Sequence, residues 1–143
     1  MELENLQSFD PTDCISNKVL KISRITAGIF RKHLRPSNIT GSQVNILFTL
    51  VYRGGLTQKQ LCDITKLEKS SMNRNLQRLF ERNYLRKENF PVIQLTDDGK
   101  ALANKIIPAW EKAMEEIRQL LGEDGESALD TTLTKLLNEK QSQ

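Results

Sequence analysis

The residues best suited to chemistry in this sequence lie between Lys66 and Glu88. Met72, Leu76, Leu79 and Phe80 recur at i, i+4, i+7 and i+8, which at about 100° per residue gathers them into one apolar stripe of a helix. Ser70, Arg74, Gln77, Arg78 and Glu81 fall opposite that stripe, Ser71 and Asn73 lie on its flanks, and Lys69 stands at its start. Small hydroxyls at a helix N-terminus suit phosphate, an Arg one turn further on can pair bidentately with guanine, and Asn or Gln with adenine. Any solvated helix has a polar face, so the surroundings have to decide what this one is for.

Charge is the first of those surroundings. From Lys66 to Glu88 seven basic residues face three acidic ones, a net of +4, whereas the whole chain carries only +3 and residues 97–143 hold ten acidic and six basic side chains. Positive charge is therefore concentrated on the proposed reading helix and the segment after it, the footprint of a polyanion site.

Other chemistry is thinly represented. His33 is the only histidine, which leaves no multi-histidine metal site, and it falls on an apolar helical seam where a structural role fits better than catalysis. The glycines at 54–55 and at 122 and 125 match no phosphate-loop pattern. Asp97 and Asp98 read as first-turn residues favoured by a helix dipole rather than as a catalytic pair. No enzyme, metal or cofactor is expected. Cys14 and Cys62 have no C-x-x-C partner and read as free thiols of a reducing compartment, with Cys62 in the core.

The elements that must position the basic helix can be read outward from it. Thr57 and Gln60 form a capping box that starts a preceding helix, with Gln58 and Lys59 on its outer side and Leu61 and Ile64 inside. A turn is required near Lys66 to Glu68. After the basic helix, Arg86 to Leu95 reads as two short strands around an Asn-Phe-Pro turn, because Pro91 forbids helix and Val92-Ile93 favour strand. Thr57, Gln58, Lys69, Ser70, Ser71, Asn73, Arg74, Gln77 and Arg78 thus become candidate DNA-contacting residues, with Arg86 and Lys87 on the phosphates.

Upstream, Asp10-Pro11-Thr12-Asp13 reads as a helix start with Asp10 at the N-cap and Pro11 at the first helical position. Ile15, Val19, Ile22, Thr26, Ile29 and His33 continue it as a seam that Leu20, Ile25 and Phe30 widen, so this helix is expected to touch a second subunit as well as its own core. Residues 1–9 read as a loose arm. Arg35 to Asn38 ends the helix, and Thr40 with Gln43 opens another that Gly54-Gly55 stops. Thr96 caps a long helix with Leu102, Ile106, Trp110, Ala113, Ile117 and Leu120 in register. A kink is expected from Lys105 to Pro108, Gly122 ends the helix, and Leu129, Leu133, Leu136 and Leu137 line a last helix over about 124–139.

The run LTQKQLCDITKLEKSSMNRNLQRLFERNYLRK, followed after the hairpin by LTDDGKAL, resembles the MarR (multiple antibiotic resistance regulator) family of winged helix-turn-helix transcription regulators. Its most specific parts are the L-T-Q-K-x-L opening and the L-T-x-x-G-[KR]-A-L segment, and the likeness extends over nearly the whole chain. The resemblance implies a homodimer on a pseudo-palindromic operator in double-stranded DNA, acting as a repressor relieved by a small aromatic or phenolic effector. That effector would lie in a cleft lined by Ile22, Phe30, Phe48 and Trp110. Some family members sense peroxide through a cysteine near the first helix, and Cys14 stands close to that place. The chain departs from the family pattern at the wing, where the loop is reduced to Glu88–Pro91 and its tip has no Arg.

The fold expected is therefore mostly α with a small two-stranded β wing: a winged helix-turn-helix over residues 40–96 flanked by dimerisation helices at 10–35 and 97–140, all in one domain of 143 residues. No apolar run is long enough for a membrane span and the first ten residues are polar and acidic, so the cytoplasm is expected. The rival reading is a winged helix turned to protein interaction, for which the shortened wing is the motive.

Overall fold

The computed structural model describes residues 1 and 3–141. Near the N-terminus, where a loose arm is expected, one turn of helix α1 (Glu4–Gln7) forms without a side-chain cap, and none of its residues is buried; Glu2 of that arm lies outside the described residues. Asp10 then organises the chain, but differently from the expected helix start. Its carboxylate accepts the Thr12 hydroxyl at 2.5 Å and the Thr12 amide at 2.9 Å, closing a tight 3₁₀ turn over Pro11–Asp13. The hydroxyl and then the amide favour the ionised form and hold Asp10 below the usual carboxylate value. Helix α2 (Ile15–Leu34) starts only after this turn, with Cys14 at its N-cap in an extended conformation, so Cys14 precedes the helix instead of sitting in its first turn.

Arg35–Ser37 makes a second 3₁₀ turn, and Asn38 reverses the chain with φ of 49°. Both expected capping boxes are present. Thr40 and Gln43 exchange bonds at the head of α3 (Gly41–Arg53), and Thr57 and Gln60 do so at the head of α4 (Gln58–Thr65). Lys66 ends α4 in the left-handed region, and the basic helix α5 (Lys69–Glu81) follows after two residues.

The wing is three-stranded, not two-stranded. β1 (Leu56–Thr57) and β2 (Leu85–Arg86) both pair antiparallel with β3 (Val92–Leu95), in the order β1-β3-β2. The physical cause of the extra strand is the capping box itself. An N-cap residue is extended, as Thr57 is with ψ of 161°, and an extended Leu56-Thr57 offers its backbone to Ile93 and Val92.

Helix α6 (Asp97–Gln141) closes the chain. The kink expected from Lys105 to Pro108 shows no non-helical torsion; the interruption is at Gly122, with φ of 71° and ψ of 175°. Pro108 and Asn104, whose carbonyl loses its helical donor, are both exposed, so water can satisfy the group the proline leaves free. The core lies behind the basic helix and the hairpin. Ile46, Leu47 and Leu50 of α3 pack with Leu61, Met72, Leu76, Leu79 and the sheet residues Leu56, Leu85, Ile93 and Leu95, while Leu34, Val44 and Ile106 join α2, α3 and α6. Burying each such side chain contributes about 1.5–3 kcal/mol, so the amphipathic pattern of α5 is enough to fix which face it leaves outside.

Candidate nucleic-acid interface

The outward face of α5 is set by the burial of Met72, Leu76 and Leu79 behind it. Lys69, Ser70, Asn73, Arg74, Gln77 and Arg78 are all exposed along this one helix, and Ser71 is half-buried. Glu68 stands at the N-cap but its side chain takes no amide, so the first-turn N–H groups beside Ser70 remain available to an oxyanion. Arg74 reaches Ser71 Oγ at only 3.4 Å, a weak tie that leaves the guanidinium free to turn outward. Gln77 donates to Glu81 Oε1 at 3.2 Å.

Two pairings lie beyond what sequence spacing shows. Gln58 at the start of α4 donates its side-chain amide to Asn73 Oδ1, which couples the two helices at the reading surface and orients Asn73. Arg82 donates to Asn38 O at 2.8 Å and lies 5.1 Å from the Tyr84 ring centre. This arginine counts toward the basic window, yet it acts as a staple between α5 and the turn before α3. Thr57 is taken up by its capping box, so its part in any interface is to seat Gln58.

The wing approaches the same face. Lys87 holds its ammonium 5.2 Å from the centre of the Phe80 ring, and Arg86 pairs with Glu88 at 3.5 Å where both are exposed. Gln58, Asn73 and Gln77 on one side and Lys87 and Phe90 on the other line a single cleft of about 310 Å³. The basic helix and the hairpin therefore share one cleft, which Leu76, Phe80, Glu81 and Ile93 also line.

The L-T-x-x-G segment fixes the wing to the rest of the molecule. The Thr96 amide donates to Tyr84 O at 3.1 Å and its hydroxyl to Asn83 O at 2.6 Å, while the same hydroxyl accepts the Gly99 amide at 3.0 Å. A Cβ on Gly99 would stand 2.2 Å from Tyr84 O, so only glycine permits the approach.

Residues 37–91 match the model of the MarR family. The stretch from the turn before α3 into the wing is thus similar to the MarR family. Solved structures share the fold of this chain over almost their full length at low identity. BpsR of Bordetella bronchiseptica, whose DNA binding is regulated by 6-hydroxynicotinic acid, superposes with a TM-score of 0.82 at 19% identity, covering 91% of this chain and 98% of that one. CouR bound to p-coumaroyl-CoA gives 0.80 at 18%, covering 97% and 99%. A cysteine-to-serine mutant of MarR from E. coli, complexed with operator DNA, gives 0.75 at 18%, covering 96% and 99%. No curated protein matches the chain by sequence.

The residues expected to line an effector cleft are only partly brought together. Phe30, Phe48 and Trp110 join Leu34, Val44 and Asn45 around a cavity of about 380 Å³ between α2, α3 and α6. Phe48 and Trp110 meet edge to face at 5.6 Å. Ile22 does not belong to that lining and is 42% exposed; eight residues before Phe30, it lies about 12 Å further along α2, beyond the end of the cavity. Near the C-terminal end of α2, Glu116 of α6 accepts from Lys32 at 2.5 Å and lies 3.3 Å from His33 Nε2, so the lone histidine braces two helices.

The remaining candidates are isolated. Cys14 is exposed and Cys62 half-buried, both as free thiols. Among the described residues no three His, Cys, Asp or Glu side chains are grouped to hold a metal, and no helix is long and apolar enough to cross a membrane.

Proposed function

We propose that this chain is a sequence-specific, double-stranded-DNA-binding transcription regulator that works as a homodimer on a pseudo-palindromic operator. The observation that carries the reading is the exposed row Ser70, Asn73, Arg74, Gln77 and Arg78 on a rigidly backed helix with Lys87 across a shared cleft. Arg74, Asn73 and Gln77 have the donors and acceptors for base edges, whereas Lys69, Ser70, Arg86 and Lys87 suit phosphates. A helix of 13 residues is a suitable probe for a major groove about 12 Å wide.

The second half of the proposal is repression relieved by a small aromatic ligand. Its support is the aromatic-lined cavity at the junction of α2, α3 and α6, together with relatives regulated by 6-hydroxynicotinic acid or bound to p-coumaroyl-CoA or 4-hydroxyphenylacetate. A ligand wedged there changes how the reading unit sits on the dimer helices. Two reading helices must lie about one DNA turn, roughly 34 Å, apart to engage both half-sites, so a small tilt is enough to disengage one.

Selection of duplexes from a random pool by the purified chain tests the reading. The expected product is an inverted repeat with half-site centres about 10 base pairs apart. Failure to enrich any sequence would instead favour the protein-interaction reading.

A further inference from the structure

Helix α3 ends on two glycines, and the space beside them is not filled. Gly54 turns the chain with φ of 79°, and a Cβ there would meet nothing within 4 Å. Gly55 then passes so close over β3 that a Cβ would stand 2.6 Å from Val92 Cγ1 and 3.1 Å from Gln94 Cγ. The turn can therefore carry no side chain at Gly55. What remains is a groove of about 440 Å³ between the end of α3, the wing and the N-terminal part of α6. It shares no lining residue with the aromatic cavity around Trp110.

The lining is of two kinds. Leu50, Val51, Ala103 and Ile107 make an aliphatic floor, and no aromatic ring lines the groove. The polar part is Arg86 and Gln94, partners across β2 and β3, with Lys100 and Asn104 of α6. No Asp or Glu belongs to it. Lys100 is exposed and enters no ion pair among the described residues. Arg86 has only Glu88, at 3.5 Å with both side chains exposed, a pairing that holds a guanidinium weakly. Gln94 Oε1 already accepts from Asn89 at 3.2 Å, which leaves the Gln94 N–H donors for a ligand. The size is that of an ordinary small-molecule site, about 300–1,000 Å³. Two cations and an amide donor over aliphatic carbon suit a negative head group on an aliphatic body.

We propose that this groove is a second ligand site, taking a small aliphatic carboxylate whose head group is shared by Arg86 and Lys100. The carboxylate accepts charge-assisted hydrogen bonds, two of them from the Arg86 fork, while the hydrocarbon lies along Val51 and Ile107. Arg86 is also assigned to operator phosphates, and one guanidinium cannot serve both anions. Resting on that DNA-binding reading, occupancy of the groove weakens operator binding by direct competition at the base of the wing, without any movement of the dimer helices. Reciprocity then requires the operator to weaken the acid by the same factor.

The test titrates the full chain with sodium octanoate, and with 1-octanol as its uncharged counterpart, by calorimetry at constant ionic strength for wild type, Lys100→Glu and Lys100→Arg. Lys100 is exposed and outside the DNA-contacting set, so both variants are expected to melt with the wild type. Octanoate should saturate at one per chain. Lys100→Glu should weaken it at least about tenfold and Lys100→Arg less than about threefold, and octanol should bind at least about tenfold more weakly than octanoate. Octanoate at the concentration that saturates the wild type should raise the wild-type Kd for a selected duplex about threefold or more and leave that of Lys100→Glu unchanged. No saturable binding, or equal octanoate binding by wild type and Lys100→Glu, would overturn the site. Octanoate bound as expected while the duplex Kd stays fixed would overturn its competition with the operator. Octanoate bound as expected by a chain that binds no duplex would instead overturn the DNA-binding reading and leave the site standing.

Discussion

Arg74 and Lys87 carry the same charge and belong to the same surface, but their chemistry divides the work between them. Arg74 is exposed on α5 with a planar fork of donors and only a long bond to Ser71, which suits a guanine edge. Lys87 is a point charge fixed over an aromatic ring, which suits a phosphate. Arg74→Ala is expected to cost about 1–3 kcal/mol of specific affinity per half-site and to blur one base position in each, whereas Lys87→Ala should weaken all sequences alike and lower the salt slope of the two-chain complex by about two, one contact per chain. Equal losses on cognate and random duplex for Arg74→Ala would remove that residue from base reading. At this scale the exposed face was legible, because a stripe of Met72, Leu76 and Leu79 determines what lies opposite. The Gln58–Asn73 bond and the Arg82 staple were not, since each joins residues whose proximity depends on how helices cross. Ile22 was misplaced for the same reason: periodicity gives the side of a helix but not where along it the neighbouring elements end.

Helices announced themselves wherever a side chain performs the capping. T-x-x-Q at Thr40 and Thr57 marks both starts to the residue, and Thr96 marks α6 through its bond to the Gly99 amide. β1 was not legible, because two residues carry no alternation and their partner strand lies 35 residues downstream. Nor was the 3₁₀ turn at Pro11, where the Thr12 hydroxyl competes for the same carboxylate that would cap a helix. Between elements, the clearest electrostatic tie joins α2 to α6 at Glu116, held below the usual carboxylate value by the Lys32 hydrogen bond first and His33 second, against a partial desolvation. A depressed carboxyl contributes stability that is fully present above its unfolded value, 4.5, and is lost as pH falls through the lower folded value. Melting temperature followed from about pH 7 to 3 should therefore fall less steeply below about 4.5 for Glu116→Gln than for wild type. Parallel acid limbs would show that the pair adds no stability.

The molecule as a whole is divided by charge and by apolar exposure. The proposed reading surface concentrates the basic residues, while residues 97–143 are acidic in sequence and the stretch of α6 after Gly122 leaves Leu133 and Leu136 more than half exposed. Ile15, Val19 and Ile25 leave a second apolar face open on the first long helix. Two copies related by a twofold axis can cover these faces with each other, giving the isologous pairing the operator symmetry requires. The seams were legible as helical periodicity, but the partner's position is not contained in one chain. The most direct test of the central claim is a titration of the inverted-repeat duplex at several salt concentrations, with stoichiometry read at saturation. The expected result is two chains per duplex and log Kobs falling linearly with log salt, with a slope of about −5 if each chain neutralises about three phosphates. A slope near zero, or binding that saturates at one chain per duplex, would contradict it.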